Sequence, residues 1–306
     1  MNRIVDVSTD GQHLSAERGH LIVAAAGTEM GRVPLDDIAA VIVHAHGTTY
    51  SNNLMVALAE RGALLVICAA NHSPVAVMSP IAGHHAQTAS MILQADAAKP
   101  LKKRLWQQIV VLKIRMQAAV LVAFGASSEG FQILTRQVRS GDPDNIEAQA
   151  ARRYWPRLFG DDFRRDRDAP GENALLNYGY AIMRSICARA IVAAGLNPSL
   201  GIHHHNRQNA FALADDLIEP FRPVVDACVA AMVRDGIREV EKEAKQRLTN
   251  LVVFDLPGPK GASPVHVCVG RLAQSLARSF SGDSSQLVLP GIPDSLQLAS
   301  AGRRQE

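Results

Sequence analysis

Short apolar runs, each closed by Gly, Asn, Asp or Pro, dominate the first eighty positions. Ile4-Val5-Asp6-Val7, Gly19-His20-Leu21-Ile22-Val23, Ala39-Ala40-Val41-Ile42-Val43, Leu64-Leu65-Val66-Ile67-Cys68 and Val75-Ala76-Val77 all read as strands. Between the third and fourth the spacing changes. Ser51 is a ready cap, and Leu54, Leu58 and Ala59 recur at helical intervals, which predicts a helix over 51–61. A β-rich domain over 1–78 follows. Past Ser79-Pro80-Ile81-Ala82-Gly83, taken as a linker over 79–86, the apolar period lengthens to that of a helix. Helices are predicted over 101–121, 146–159, 174–194 and 224–248, which makes 87–281 a helical domain that carries the chemistry. Residues 282–306, rich in Ser, Gly and Pro, read as a weakly ordered tail. The fold class is α+β: a small β-rich N-terminal domain followed by a larger all-α C-terminal domain.

Composition narrows the function classes. The 306 residues are 47% apolar and 20% charged, which is globular and excludes disorder throughout. No basic head with a long apolar core opens the sequence, and the most apolar runs, such as 63–70, are too short to span a bilayer, so a cytoplasmic protein without a membrane partner is expected. Four dispersed cysteines, Cys68, Cys187, Cys228 and Cys268, give neither a disulfide framework nor a cysteine zinc site. A net charge of +3 does not by itself imply nucleic acid. No dinucleotide fingerprint, phosphate-binding P-loop or serine-hydrolase elbow is present.

What remains is an acidic and imidazole-rich run, Gly201 to Pro223. On a helix Asp216 and Glu219 share a face, and Asp215 with Glu219 is the alternative pairing. Pro220 removes a backbone donor and disfavours α geometry at Glu219, so the helix must kink or end there. Such an acidic face also suits plain solvation. Of His203, His204 and His205, adjacent in sequence, only one is expected to bind a metal. One imidazole with carboxylate oxygens suits Mg²⁺ or Mn²⁺ in phosphoryl chemistry, although ligand type alone leaves Zn²⁺ open. A third ligand is sought at Asp142-Pro143-Asp144-Asn145-Ile146-Glu147, a helix start where Glu147 equally suits the helix dipole.

Four pieces then combine in order: Asp144-Asn145-Ile146-Glu147-Ala148; Asn173-Ala174-Leu175-Leu176-Asn177-Tyr178-Gly179-Tyr180; Gly195-Leu196-Asn197-Pro198 with Gly201-Ile202-His203-His204; and Asp216-Leu217-Ile218-Glu219-Pro220-Phe221-Arg222-Pro223. Together they resemble CRISPR-associated protein one, the integrase of spacer acquisition, over essentially the whole chain. The run from His205 to Pro223 looks most like the form found in type II systems. The resemblance implies a metal site of Glu147, His204 and Glu219, which are also the catalytic residues, with Asp216 as a helper acid. His204 is chosen by its spacing of three after Gly201.

The implied reaction joins short DNA to a CRISPR array. A 3′-hydroxyl attacks a phosphodiester with Mg²⁺ or Mn²⁺ as cofactor. A general metal-dependent nuclease of branched or single-stranded DNA and a non-catalytic DNA scaffold are the competing readings. Arg207 and Arg222 are expected to grip phosphates, with Arg152-Arg153, Arg164-Arg165-Asp166-Arg167 and Lys102-Lys103-Arg104 as wider candidates or plain surface charge. Tyr178 and Tyr180 suit core packing better than base stacking. The implied partners are double-stranded DNA (prespacer and repeat), a second copy of the chain meeting through the β-rich domain, CRISPR-associated protein two, and the type II effector.

Overall fold

The computed structural model describes residues 3–69, 74–78, 80, 86–206, 208–258 and 261–303. The chain separates into two compact units, Met1–His85 and Ala86–Glu306. Most of the expected linker falls outside the described residues.

The first unit holds two four-stranded sheets. Strands β2 (Gln12–Glu17), β3 (His20–Ala25) and β4 (Thr28–Pro34) form an antiparallel meander, with β6 (Thr49–Tyr50) parallel to β2. The other sheet runs β1 (Arg3–Val7), β5 (Ile38–Val43), β7 (Leu64–Cys68) and β8 (Pro74–Met78), in which β1, β5 and β7 are parallel and β8 is antiparallel. β5 is buried along its whole length, which is why its sequence is a continuous apolar run. β2 and β4 escaped the sequence reading because β2 sets a single buried Leu14 among polar neighbours and β4 is exposed almost throughout, so neither is an apolar run. Helix α1 (Asn52–Glu60) is capped by Ser51, whose hydroxyl accepts from Leu54 N at 3.3 Å. Leu54 and Leu58 seal it over a core that includes Leu14, Leu21, Val41 and Leu65.

The second unit is helical: α2 (Gln87–Asp96), α3 (Lys99–Ala123), α4 (Phe131–Gln137), α5 (Ile146–Phe159), α6 (Glu172–Ala193), α7 (Ala212–Ile218), α8 (Arg222–Arg234), α9 (Lys242–Asn250), α10 (Val265–Phe280) and α11 (Ser295–Ala299). α3 is the central element, packed by α4, α5, α8 and α11. It is long and apolar enough to cross a membrane, yet here most of it is buried inside the protein. α6 and α8 approach closely at Gly179, where a Cβ would lie 2.4 Å from Val225 Cγ1.

Two expectations change. The single helix over 224–248 is two helices, α8 and α9, because Gly236 turns the chain at φ +83° and Asp235 ties the break to Arg247. The expected weakly ordered tail is fastened down over its described part. Gln108 on α3 donates to Ser285 O at 2.9 Å and accepts from Leu287 N at 3.0 Å, and Val288 N donates to Ser275 Oγ at 2.9 Å. Asp294 then caps α11 in a reciprocal capping box, and Leu298 and Ala301 are buried where α11 meets α3 and α8. Composition misjudged this segment because its order comes from partners distant in sequence.

Candidate metal centre

The first carboxylate is set by a helix start. Asp142 and Asn145 adopt positive φ, 47° and 52°, and the Asp142 carboxylate accepts from Ile146 N at 2.9 Å and Glu147 N at 3.0 Å. This satisfies two of the orphan donors of α5 and pins the backbone of Glu147. The second carboxylate is set by a helix change. α7 gives way to a single 3-10 turn over Glu219–Phe221, with Pro220 in that turn, before α8 resumes at Arg222. The expected interruption at Glu219 is therefore real, and it turns this side chain into the interior, where the residue is 4% exposed.

Glu147 and Glu219 meet on Lys113 of α3. Its ammonium donates to Glu147 Oε1 and Glu219 Oε2, both at 2.5 Å. Arg222 Nε donates to the other oxygen, Glu219 Oε1, at 2.8 Å. Burial opposes ionisation of Glu219, but Arg222 and Lys113 prevail and hold it well below the usual carboxylate range. Burial likewise pulls Lys113 down, and Glu219 and Glu147 outweigh it, so the ammonium stays charged.

The histidine loop is organised by Asp216. This fully buried carboxylate accepts from the backbone N–H of Ile202 (2.7 Å), His203 (3.1 Å) and His204 (3.2 Å) and lies 2.7 Å from His204 Nδ1. That hydrogen bond raises the His204 pKa against the opposing effect of burial. Gly201 is required here, since a Cβ would lie 2.4 Å from His204 O and 2.9 Å from Asp216 Oδ2. Asp216, expected as a helper acid, is a loop clamp whose two oxygens are already engaged. His203 stacks on the buried Trp106, with ring centroids 4.2 Å apart and planes within 4°, and burial lowers its pKa. His205 is exposed.

The alternative pairing of Asp215 with Glu219 does not form. Asp215 turns to Arg184 at 2.7 Å and to Asn209 Nδ2 at 2.7 Å. Arg222, expected to stand ready for a phosphate, is turned onto Glu219 and lies over the Tyr180 ring at 4.5 Å. Its position three residues after Glu219 puts it on that acid. Arg207 lies outside the described residues. Arg152, Arg153, Arg167, Lys103 and Arg104 are exposed, while Arg164 is tied to the carbonyls of Asp161 and Phe163. Tyr178 and Tyr180 are buried, as packing requires, and Tyr180 donates its hydroxyl to Asp226.

Beside the paired carboxylates lies a cavity of about 230 Å³ lined by Lys113, Gln117, Trp155, Arg165, Tyr180 and Asp226. Asp226 is 1% exposed, and burial pushes its carboxyl up to about 7 against the Tyr180 hydrogen bond. The Tyr154 hydroxyl acts on the same carboxyl from outside hydrogen-bond geometry.

Among the described residues no three His, Cys, Asp or Glu side chains converge as a finished metal cage. The donor chemistry nevertheless fits a hard divalent cation. Two carboxylates already share one positive charge, and Asp216 holds His204 by Nδ1, so Nε2 would be the nitrogen offered to a metal. Sequence reasoning missed Lys113, Trp106 and Asp226. The signal was a charged or polar residue on an apolar helical stripe, as with Lys113 and Gln117 continuing the line of Trp106, Ile109 and Val110.

Comparison with known proteins gives the fold and the family. A solved casposase bound to integration product superposes with a TM-score of 0.79 at 17% identity, covering 99% of this chain and 96% of that one. The Cas6-RT-Cas1--Cas2 complex gives a TM-score of 0.76 at 18% identity, covering 94% of this chain and 36% of that one. Both likenesses are of fold. The CRISPR-associated endonuclease Cas1 of Neisseria meningitidis serogroup C (strain 8013) is 36% identical over 288 residues, 92% of this chain and 94% of that protein. Since the family model of CRISPR associated protein Cas1 also matches residues 5–252, the chain belongs to the Cas1 family.

Proposed function

We propose that this Cas1 integrase/endonuclease of CRISPR adaptation works by metal-assisted transesterification, in which the 3′-hydroxyl of a short DNA attacks a phosphodiester of the CRISPR repeat. One P–O bond forms and one breaks, so no covalent protein intermediate is needed. Glu147, His204 and Glu219 would hold the divalent ion, Mg²⁺ or Mn²⁺, which when bound supplies charge to the scissile phosphate and to the oxygens that gain charge. The observation that carries this reading is the meeting of Glu147 and Glu219 on one buried cation.

The chain's own groups prepare that chemistry. Asp216 fixes the tautomer and direction of the His204 ring, as outer carboxylates do for metal-binding histidines. Lys113 and Arg222 keep Glu219 ionised at a depth where a lone carboxylate would take up a proton. The exposed Arg152, Arg153 and Arg167 are the candidates for gripping the DNA backbone. Double-stranded DNA, a second copy of the chain and the companion Cas2 are the proposed partners, with the type II effector as a further one. The integration product in the casposase and the Cas2 chain in the complex support the first and third of these.

The test is incubation of the chain and Cas2 with a supercoiled plasmid carrying a repeat, a short DNA with free 3′ ends, and Mg²⁺ or Mn²⁺. Joined strands are expected. Shortened strands alone would make the protein a general nuclease, and DNA binding without any covalent product would make it a scaffold.

A further inference from the structure

The Lys113 ammonium occupies the space between Glu147 and Glu219. An ammonium and a divalent ion need the same carboxylate lone pairs, and two cations cannot share that space without strong repulsion. Either the lysine moves or the ion stays out. One helical turn beyond Lys113 is Gln117, 2% exposed, whose Oε1 has no hydrogen-bond partner among the described residues. Residues four apart on a helix are neighbours, so the flexible lysine stem reaches either the carboxylates or that oxygen from one Cα position. The space for the move exists: Lys113 and Gln117 line the same cavity of about 230 Å³, which also holds the Asp226 carboxyl. A buried, unpartnered acceptor beside a cation with a competitor for its present seat is a vacant second seat.

We propose that Lys113 is a displaceable counter-cation: it holds Glu147 and Glu219 together before metal binds, competes with the divalent ion for them, and withdraws onto Gln117 Oε1 when the ion enters. The inference rests on the metal reading above. It makes Lys113 a positioning residue that sets metal affinity.

The experiment is Mn²⁺ binding to the full chain without DNA, read from the electron paramagnetic resonance signal of free Mn²⁺, with folding checked by circular dichroism. Lys113→Met is expected to bind Mn²⁺ about tenfold more tightly, since the ion no longer has to displace a competing cation. Gln117→Leu, which leaves the Lys113 bonds to Glu147 and Glu219 in place, is expected to bind several-fold more weakly because the displaced ammonium loses its acceptor. Equal or weaker binding by folded Lys113→Met overturns the proposal. If that variant does not fold, Gln117→Leu decides, and unchanged or tighter binding overturns it. Absence of Mn²⁺ binding by the unaltered protein removes both the metal reading and this inference, whereas binding with the wrong order of variants removes this inference alone.

Discussion

Asp226 offers the most direct quantitative test of the interior electrostatics. Its carboxyl is buried on α8, and its pKa rises from 3.8 to about 7, chiefly through burial. A raised carboxyl binds its proton more tightly in the folded chain than in the unfolded one. Between these two values the folded state carries more protons, so stability falls as pH rises, and the loss is complete above about 7. The full penalty is the shift from 3.8 to about 7 multiplied by 1.36 kcal/mol per unit, or about 4 kcal/mol. Integrated from pH 5 to pH 8 the same pair of values gives about 2.5 kcal/mol. Asp226→Asn keeps an oxygen for the Tyr180 hydroxyl and has no proton to lose. Urea unfolding of both proteins at pH 5, 6, 7 and 8, without metal, should show the variant gaining about 2.5 kcal/mol on its parent across that range. Both tryptophans, Trp106 and Trp155, lie in the helical unit, so their fluorescence follows that unit alone. Taking the difference between the two proteins cancels every other titrating group. Parallel stability curves for parent and variant would refute the argument that Asp226 is desolvated and neutral below pH 7.

His204→Ala should abolish strand joining as completely as Glu147→Ala or Glu219→Ala, because members of one catalytic unit do not add. His205→Ala should keep substantial activity, and so should His203→Ala, reduced by the lost stack on Trp106; a dead but folded His205→Ala with an active His204→Ala would show that the wrong imidazole was chosen. Asp216→Ala should cost about 2–3 kcal/mol in urea unfolding by stranding the N–H groups it accepts, and Asp216→Asn should recover part of that stability. Excess chelator should stop joining while the far-ultraviolet dichroism stays unchanged, since the ion would be catalytic; continued joining would count against any metal role.

The strands that could be read in the sequence were the apolar ones, whether buried like β5 or largely exposed like β8. β1, β3, β5, β7 and β8 announce themselves as apolar runs, whereas β2 is polar at most positions and β4 is exposed almost throughout, so both resemble loops. Helix α10 is strongly amphipathic, and its stripe Val265, Val269, Leu272 and Leu276 recurs at helical spacing, so this element too was legible in the sequence. At the site, Glu147 and Glu219 were identified by resemblance to a family. Nothing in a first-turn glutamate or an acid before a proline says that the two will meet. That requires the crossings of α3 with α5 and with the turn before α8, which are long-range facts. Lys113 was hidden for a different reason. A lone lysine in an apolar helix suggests a snorkelling side chain, and only the partners waiting opposite it turn it into a buried charge.

The strap of residues 284–301 has a consequence for biosynthesis. α3 emerges from the ribosome early, but the segment that covers it through Gln108 and α11 is made far later. Domains fold as units, and long-range contacts must wait for both partners to exist. A nascent chain that already carries Glu147, His204 and Glu219 therefore still lacks the cover over the helix that bears Lys113. The packing around α3 is therefore completed only once the C-terminal segment has been made.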